Sequence, residues 1–251
     1  MSLLKQDHTN ENEDTEKQWK SIYIFGGVIA FIAIIGTILD VIIGTSTGGD
    51  LSTIPQTAID RFAEFQANWI LGLYHLDMLN VVITILMIPA YFALCAAHRR
   101  TNISYTLLAA IIYFIGAAVF VTNNTALSML ELSYKYAAAT SEVQKTLLAA
   151  AGEAMIARGS HGSLGAFPGF FILTIASLVM SFGMLKGKIF SKKTAYIGIL
   201  GSTLLLVYII LVTFVPDIEN VAMIVSAPGG LLALAWMIMF DIRLFKLGYS
   251  K

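Results

Sequence analysis

Six long apolar stretches constrain this chain more than any other feature of its sequence. They cover approximately residues 21–44, 69–97, 103–122, 163–185, 195–215 and 221–245. The hydrocarbon core of a bilayer is about 30 Å thick, and about 20 apolar residues cross it as a helix. Because unpaired backbone polar groups are costly in lipid, such stretches must form helices rather than open strands. The sequence therefore predicts an all-α, polytopic integral membrane protein with six transmembrane helices.

The charge composition excludes several classes of protein. Only 13% of the residues are charged, against about 25% in an average soluble domain. A formal net charge of zero argues against a nucleic-acid partner, which requires a basic surface. The single cysteine, Cys95, excludes an intramolecular disulfide and a Cys-x-x-Cys zinc or redox site.

The basic residues predict how the chain is oriented. If the N-terminus is cytoplasmic, only four of the sixteen Lys and Arg lie on the outer side, namely Arg61, Lys135, Lys145 and Arg158. Cytoplasmic loops carry an excess of Lys and Arg. We therefore expect a multi-pass protein of the cytoplasmic membrane with both termini in the cytoplasm.

The polar segments divide the chain further. Residues 1–18 are polar and of mixed charge, which predicts a disordered cytoplasmic tail. Residues 19–251 form the transmembrane domain. Residues 56–68 are predicted to form an outer amphipathic helix at the membrane interface, capped by Thr57 and Asp60. Its apolar face would consist of residues at three- and four-residue spacing, namely Ile59, Phe62, Phe65 and Trp69.

Residues 123–162 are predicted to form an outer helical hairpin between the third and fourth spans. The third helix would continue outward through Tyr136, and a second helix would begin after Ser141 and end near Gly159. Gln144, three residues after Ser141, fits a capping box. This hairpin would cover the outer mouth of the bundle.

Polar side chains in the outer half of the spans are the candidate functional residues. Asp40 and Asp77 are the two carboxylates expected within the spans, where ionisable groups are costly and therefore functional candidates. Tyr74, Asp77, Asn80 and Thr84 would share one helical face. The candidate ligand-binding residues are Asp40, Tyr74, Asp77, Asn80, Asn123 and Asn124.

Two further features are singled out. The sequence SAPGG places Pro228, Gly229 and Gly230 in the sixth span, where they favour a helix break of the kind that exposes backbone groups in transporters. His75 and His161 are weak candidates for metal ligands, since His75 and Asp77 would point about 200° apart around one helix. The sequence identifies no cofactor.

Three blocks of sequence resemble a known family. They are LGLYHLDMLNVV at 71–82, TNNTALSMLELSYKYAAAT at 122–140 followed by LLAAAGEAMIA at 147–157, and GMLKGKIFSKKTAYIGILG at 183–201. Together they resemble the six-span prokaryotic membrane proteins grouped as domain of unknown function 4386, over about residues 19–248. The resemblance implies a multi-pass membrane protein of no established activity in which the outer hairpin belongs to the domain.

These observations favour one function and leave two alternatives. The favoured hypothesis is a membrane protein that binds a small polar or amphipathic ligand in an outer-half cavity, as a transporter, carrier subunit or sensor. The first alternative is an intramembrane metal-dependent hydrolase acting on lipid, although none of the common hydrolase or phosphate-binding motifs is present. The second is a scaffold whose outer hairpin docks a partner protein, or a homo-oligomer.

Overall fold

The computed structural model describes residues 2–46, 55–216 and 218–250, and every regular element in them is a helix. The ten helices are α1 (Ser2–Ser46), α2 (Ala58–Ala67), α3 (Trp69–His75), α4 (Met78–Ala97), α5 (Ile103–Asn123), α6 (Ala126–Ala138), α7 (Glu142–Gly159), α8 (Phe167–Gly187), α9 (Lys192–Phe214) and α10 (Glu219–Gly248).

Six helical segments are long and apolar enough to cross a membrane. They are Thr15–Ser46, Met78–Ala97, Ile103–Ala138, Phe167–Gly187, Lys192–Phe214 and Ile224–Gly248. Large apolar side chains are exposed along them, for example Phe25, Ile115 and Leu231. Lipid can cover such a surface, whereas water would leave it unstable. The chain is therefore an all-α membrane protein with six spans, as the sequence predicts.

The spanning helices pack as a closed ring. Each of them packs mainly against two neighbours, in the order α1, α4, α5, α8, α9, α10 and back to α1, and α4 also contacts α10. Small residues let the backbones approach closely. A Cβ on Gly26 of α1 would overlap Ala93 of α4, and a Cβ on Gly183 of α8 would lie 2.7 Å from Thr106 of α5. Such contacts between small residues stabilise helix pairs in membranes.

The four shorter helices form a cap over one end of the ring, and we use the name cap for α2, α3, α6 and α7. α2 packs against α6 and α7, which also pack against each other. Phe62, Phe65 and Met129 are buried at the centre of the cap. The opposite end of the ring carries the short connections 98–102 and 188–191, and we call it the loop end.

Both predicted capping residues are in place. Thr57 Oγ1 accepts a hydrogen bond from the Asp60 N–H, and Ser141 Oγ accepts one from the Gln144 N–H. Of the predicted apolar face of the outer helix, Phe62 and Phe65 are buried, whereas Ile59 and Trp69 are exposed. The buried face of α2 consists of Ala58, Arg61, Phe62 and Phe65. This face packs against the other cap helices.

The second span is not one continuous helix. α3 ends at His75 and α4 begins at Met78, with Asp77 in a left-handed conformation at φ 62°. Tyr74 and Asn80 therefore lie on different helices, and the predicted continuous polar face is wrong. Aspartate adopts this conformation more readily than most residues because its short side chain forms local hydrogen bonds, here with Asn80.

The third span is also interrupted, at Asn124 and Thr125. Asn124 Oδ1 accepts a hydrogen bond from the Ala126 N–H, and its Nδ2 donates one to the Leu76 carbonyl at 2.6 Å. The two helix breaks are thus bonded to each other. A side chain that satisfies backbone groups on both sides explains why the third helix does not continue straight to Tyr136.

Two further expectations differ from the structure. α1 begins at Ser2, where a disordered tail is expected, and Glu16 binds Arg99 and Arg100 at the loop end. α10 is continuous through Pro228, Gly229 and Gly230, so these residues do not break the helix. A proline removes the hydrogen bond that its own nitrogen would donate and crowds the carbonyl four residues earlier, but here the helix continues, with Gly229 packed beside Leu204 and Leu205 of α9.

Candidate binding cavity at the cap end of the ring

A cavity of about 290 Å³ lies inside the ring at its cap end. Its polar wall consists mainly of four side chains from distant parts of the sequence, namely Asp40 of α1, Asn80 of α4, His161 of the loop before α8, and Tyr208 of α9. Small-molecule sites have volumes of about 300 Å³ upward and combine an apolar wall with a few convergent polar groups. We call this space the Asp40 cavity.

Asp77 contacts two of these side chains, although it does not line the cavity itself. Its Oδ1 accepts a hydrogen bond from Asn80 Nδ2 at 3.0 Å, and its Oδ2 lies 3.3 Å from His161 Nδ1. Asp77 itself is buried, with 8% of its surface exposed, and does not line the cavity. Its carboxylate therefore orients the imidazole and the amide that do.

His161 connects the two sides of the ring. Its Nε2 lies 2.7 Å from Tyr208 Oη, while its Nδ1 faces Asp77. Burial lowers the pKa of His161, but the Asp77 carboxylate and the hydrogen bonds outweigh burial, and the pKa is raised well above 6.5. The adjacent Gly162 has φ 78°, a left-handed conformation that suits glycine and allows the turn that presents His161.

Tyr74 supports Asp40 through the backbone. Its hydroxyl donates a hydrogen bond to the Asp40 carbonyl at 2.9 Å, which ties α3 to α1 beside the cavity. Burial first, and the Asp40 carboxylate second, raise the pKa of Tyr74, so the phenol stays protonated and remains a donor. Tyr74 is therefore a positioning residue.

Asn123 and Asn124 do not line the Asp40 cavity. Asn123 Nδ2 donates to the Gly165 carbonyl at 3.0 Å, and Asn124 bonds the Leu76 carbonyl. Both side chains thus satisfy backbone groups where helices end. Of the six candidate residues, Asp40 and Asn80 face the cavity, and Tyr74 and Asp77 contact those that do.

Asp40 is the acidic side chain on the wall of the cavity. The His161 imidazole is paired with Asp77 rather than with Asp40. Phe167, Phe170 and Tyr208 add aromatic rings to the same wall. Aromatic faces and a carboxylate together attract organic cations, since the face of each ring carries partial negative charge.

The two histidines that were considered as metal ligands contact different carboxylates. His75 Nδ1 lies 2.6 Å from Glu64 Oε1 in the cap, whereas His161 contacts Asp77. Within residues 2–46, 55–216 and 218–250, no three His, Cys, Asp or Glu side chains come together as metal ligands do.

Arg61, predicted from the charge distribution to lie on the outer side of the membrane, is a buried charge. It is 3% exposed within the cap, and its Nη1 lies 3.5 Å from Glu64 Oε2. Burial lowers its pKa, and Glu64 opposes that effect. Residues 58, 61, 62 and 65 follow helical spacing, so the apolar periodicity could have placed Arg61 on the buried face.

Asp241 was also missed. It lies inside α10, 5% exposed, so Asp40 and Asp77 are not the only carboxylates in the predicted spans. One of its oxygens, Oδ1, has no hydrogen-bond partner in the described structure. Its position four residues after Met237 and three before Leu244 would have placed it on the buried face of the helix.

Comparison with known proteins gives the family of the chain. No curated protein and no solved structure matches it. The model of one family matches residues 23–240, a range that includes all six spans in part or whole and the entire cap. The chain therefore belongs to the family described as Domain of unknown function (DUF4386).

Proposed function

We propose that this protein binds a small amphipathic organic cation in the Asp40 cavity. One observation carries the proposal: Asp40, Asn80, His161 and Tyr208 converge from four separate segments on a single space inside the ring. Asp40 would attract the cationic head, and Phe167, Phe170 and Tyr208 would surround it. The apolar remainder of the wall would receive the rest of the ligand.

The position of the site follows from the predicted orientation. If the N-terminus is cytoplasmic, the side with the loop end carries twelve of the sixteen basic residues. The excess of Lys and Arg in cytoplasmic segments would then place the cap on the outer side of the cytoplasmic membrane. The ligand would then enter from the outer half of the bilayer, as a transported molecule or as a signal.

A pair of matched probes tests the role of charge. Benzyltrimethylammonium is a small aromatic cation, and neopentylbenzene is its neutral counterpart with carbon in place of nitrogen. We expect the cation to raise the unfolding temperature of the purified full chain in detergent. Asp40→Asn keeps the size of the side chain and removes its charge, so it should weaken binding of the cation by about tenfold, which corresponds to about 1.4 kcal/mol.

The controls separate binding in the cavity from general effects of the amphiphile. Glu131→Gln removes a carboxylate from an exposed ion pair with Lys135 in α6, and it should leave the response to the cation unchanged. Equal stabilisation of wild type and Asp40→Asn by benzyltrimethylammonium would reject the proposal, as would equal affinity for the cation and neopentylbenzene.

A further inference from the structure

The carboxyl group of Asp40 has no basic partner in the protein. Asp40 is partly buried on the wall of the Asp40 cavity. His161 is the basic side chain on the same wall, but its Nδ1 faces Asp77 and its Nε2 lies 2.7 Å from Tyr208 Oη. In the part of the chain that the structure describes, no Lys, Arg or His forms an ion pair with Asp40. An ionised Asp40 would therefore lack a positive charge of the protein at contact distance.

The charged groups nearest to the cavity are already paired with one another. The charges of Asp77 and His161 act on Asp40 with opposite sign. Because the pKa of His161 is raised well above 6.5, this pair carries one charge of each sign at neutral pH. Arg61 also acts on Asp77, but it lies in the cap and is paired with Glu64 at 3.5 Å.

The remaining titratable groups around Asp40 are phenols. The Tyr74 hydroxyl donates a hydrogen bond to the Asp40 carbonyl at 2.9 Å, and Tyr208 Oη contacts His161. Burial raises the pKa of Tyr74, so this phenol stays neutral. From α10, the wall is formed by residues that cannot ionise, namely Gly230, Ala233, Leu234 and Met237. The other described groups that face Asp40 thus provide no free positive charge.

A carboxyl group in this position can avoid an unpaired charge in two ways. An ion on an apolar and aromatic wall inside a membrane is costly, and the like charge of Asp77 adds to that cost. A bound proton removes the charge of Asp40, and a bound organic cation pairs with it. The proton and the cation therefore compete for the same group.

We propose that Asp40 exchanges a proton for the organic cation: the empty site holds the neutral acid, and binding of the cation releases one proton to water. The O–H bond breaks, its electron pair stays on the carboxylate oxygen, and the carboxylate pairs with the cation. One positive charge leaves as another enters, so the net charge of the site stays constant. This inference rests on the proposed function, because it requires the cation to bind at Asp40.

Calorimetry can count the released protons. The purified full chain in detergent is titrated with benzyltrimethylammonium at several values between pH 5 and 8, at each pH in two buffers that differ in their enthalpy of ionisation. The difference in heat gives the number of protons released per bound cation. We expect the release to be greatest at pH 5 and to disappear as the pH rises, because Asp40 is then ionised before the cation arrives.

The affinity for the cation should depend on pH in the matching direction. At the acidic end of the range, the cation must displace a proton, so binding should weaken by up to about tenfold for each unit by which the pH falls. At the basic end, the affinity should become independent of pH. The protonated His161 does not supply the proton released in acid, since its pKa is raised well above 6.5.

Three controls identify the group that releases the proton. Asp40→Asn cannot hold this proton, so it should release none, even at a cation concentration raised about tenfold to offset its weaker binding. Glu131→Gln, which removes an exposed carboxylate of the cap, should release as many protons as the wild type. The neutral probe neopentylbenzene should release none from the wild type.

A second measurement keeps the test independent of the folding of Asp40→Asn. In wild-type protein labelled with ¹³C at the aspartate carboxyl groups, the infrared difference spectrum on addition of benzyltrimethylammonium should show the loss of a protonated aspartic acid band and the gain of a carboxylate band. Asp40→Glu keeps the carboxyl group and should retain the release of protons in calorimetry.

The possible failures are distinguishable. Binding of the cation without release of protons anywhere between pH 5 and 8 would overturn the exchange and leave the proposed function intact. Release that persists in Asp40→Asn would overturn it as well, since another group would then supply the proton. Absence of any binding heat and of any rise in unfolding temperature with the cation would reject the proposed function and the exchange together.

Discussion

At the scale of single residues, His161 joins two polar side chains of the candidate site. Its imidazole lies between Asp77 and Tyr208, and its charge also acts on Asp40. Since its pKa is raised well above 6.5 in the folded protein, the protonated form is stabilised by folding. The stability that this provides is fully present below pH 6.5 and is lost as the pH rises through the folded-state pKa.

His161→Gln tests this linkage. The wild type should be more stable than His161→Gln at pH 6, and the difference should shrink steadily as the pH is raised toward 9. Thermal unfolding in detergent across this range measures it. A difference that stays constant with pH would show that His161 acts through shape and not through charge.

His98 provides a control of opposite sign. Burial lowers its pKa below 6.5, and its hydrogen bond to the Leu94 carbonyl opposes that effect only in part. The folded state therefore favours the neutral imidazole, and the wild type should lose stability relative to His98→Gln as the pH falls below 6.5. The two histidines should thus give stability differences that change with pH in opposite directions.

The sequence allowed some site residues to be predicted and not others. Asp40 was predicted because a carboxylate in an apolar span is conspicuous, and Asn80 because helical spacing placed it on one face with Asp77. The pairing of Asp77 with His161 joins residues 84 positions apart, and no local pattern reports such a contact. Thr37 and Thr174 line the Asp40 cavity but are unremarkable in sequence, since threonine is common in membrane helices.

At the scale of helices, close packing of α1 on α4 depends on Gly26. A methyl group there would overlap Ala93 Cβ and approach the Pro89 carbonyl. Gly26→Ala should therefore lower stability by roughly 1–3 kcal/mol, the usual cost of overpacking. Detergent or denaturant unfolding of the purified protein measures the change.

Gly230 is the matched control for this substitution. It also lies inside a spanning helix, and a Cβ there would meet nothing within 4 Å. Gly230→Ala should be neutral or should stabilise the protein by up to about 1 kcal/mol, because alanine favours helix more than glycine does. Equal destabilisation by both substitutions would show that the close approach of α1 and α4 is not what Gly26 provides.

The helices themselves were largely predictable, whereas their interruptions were not. Length and hydropathy located all six spans. A Ser or Thr with an Asp or Gln three residues later located the starts of two cap helices. The breaks at Asp77 and Asn124 arise from side-chain contacts across the structure, which hydropathy does not register. Conversely, Pro228 suggested a break in α10, where packing against α9 keeps the helix continuous.

For the whole molecule, the decisive prediction is which end faces outward. In a Cys95→Ala background, Leu147→Cys places a thiol at an exposed position of the cap and Lys192→Cys places one at the loop end. A membrane-impermeant maleimide added to intact cells should label Leu147→Cys. It should label Lys192→Cys only after the membrane is permeabilised.

The reverse pattern would show that the cap faces the cytoplasm, and the Asp40 cavity would then open toward the cell interior. Labelling of both positions in intact cells would show mixed orientation. Either result would show that the distribution of basic residues does not predict the orientation of this chain, while the ring and the Asp40 cavity would be unchanged.

The bonded pair of helix breaks also governs how the chain tolerates changes of length. In a continuous helix, one inserted residue rotates everything beyond it by about 100°, which would turn a buried face toward lipid. An insertion within the cap, between residues 56 and 75 or 126 and 159, meets an interruption before it reaches α4 or α5. The two breaks thereby keep a change of length in the cap from rotating the spanning helices, so we expect the ring to tolerate such a change.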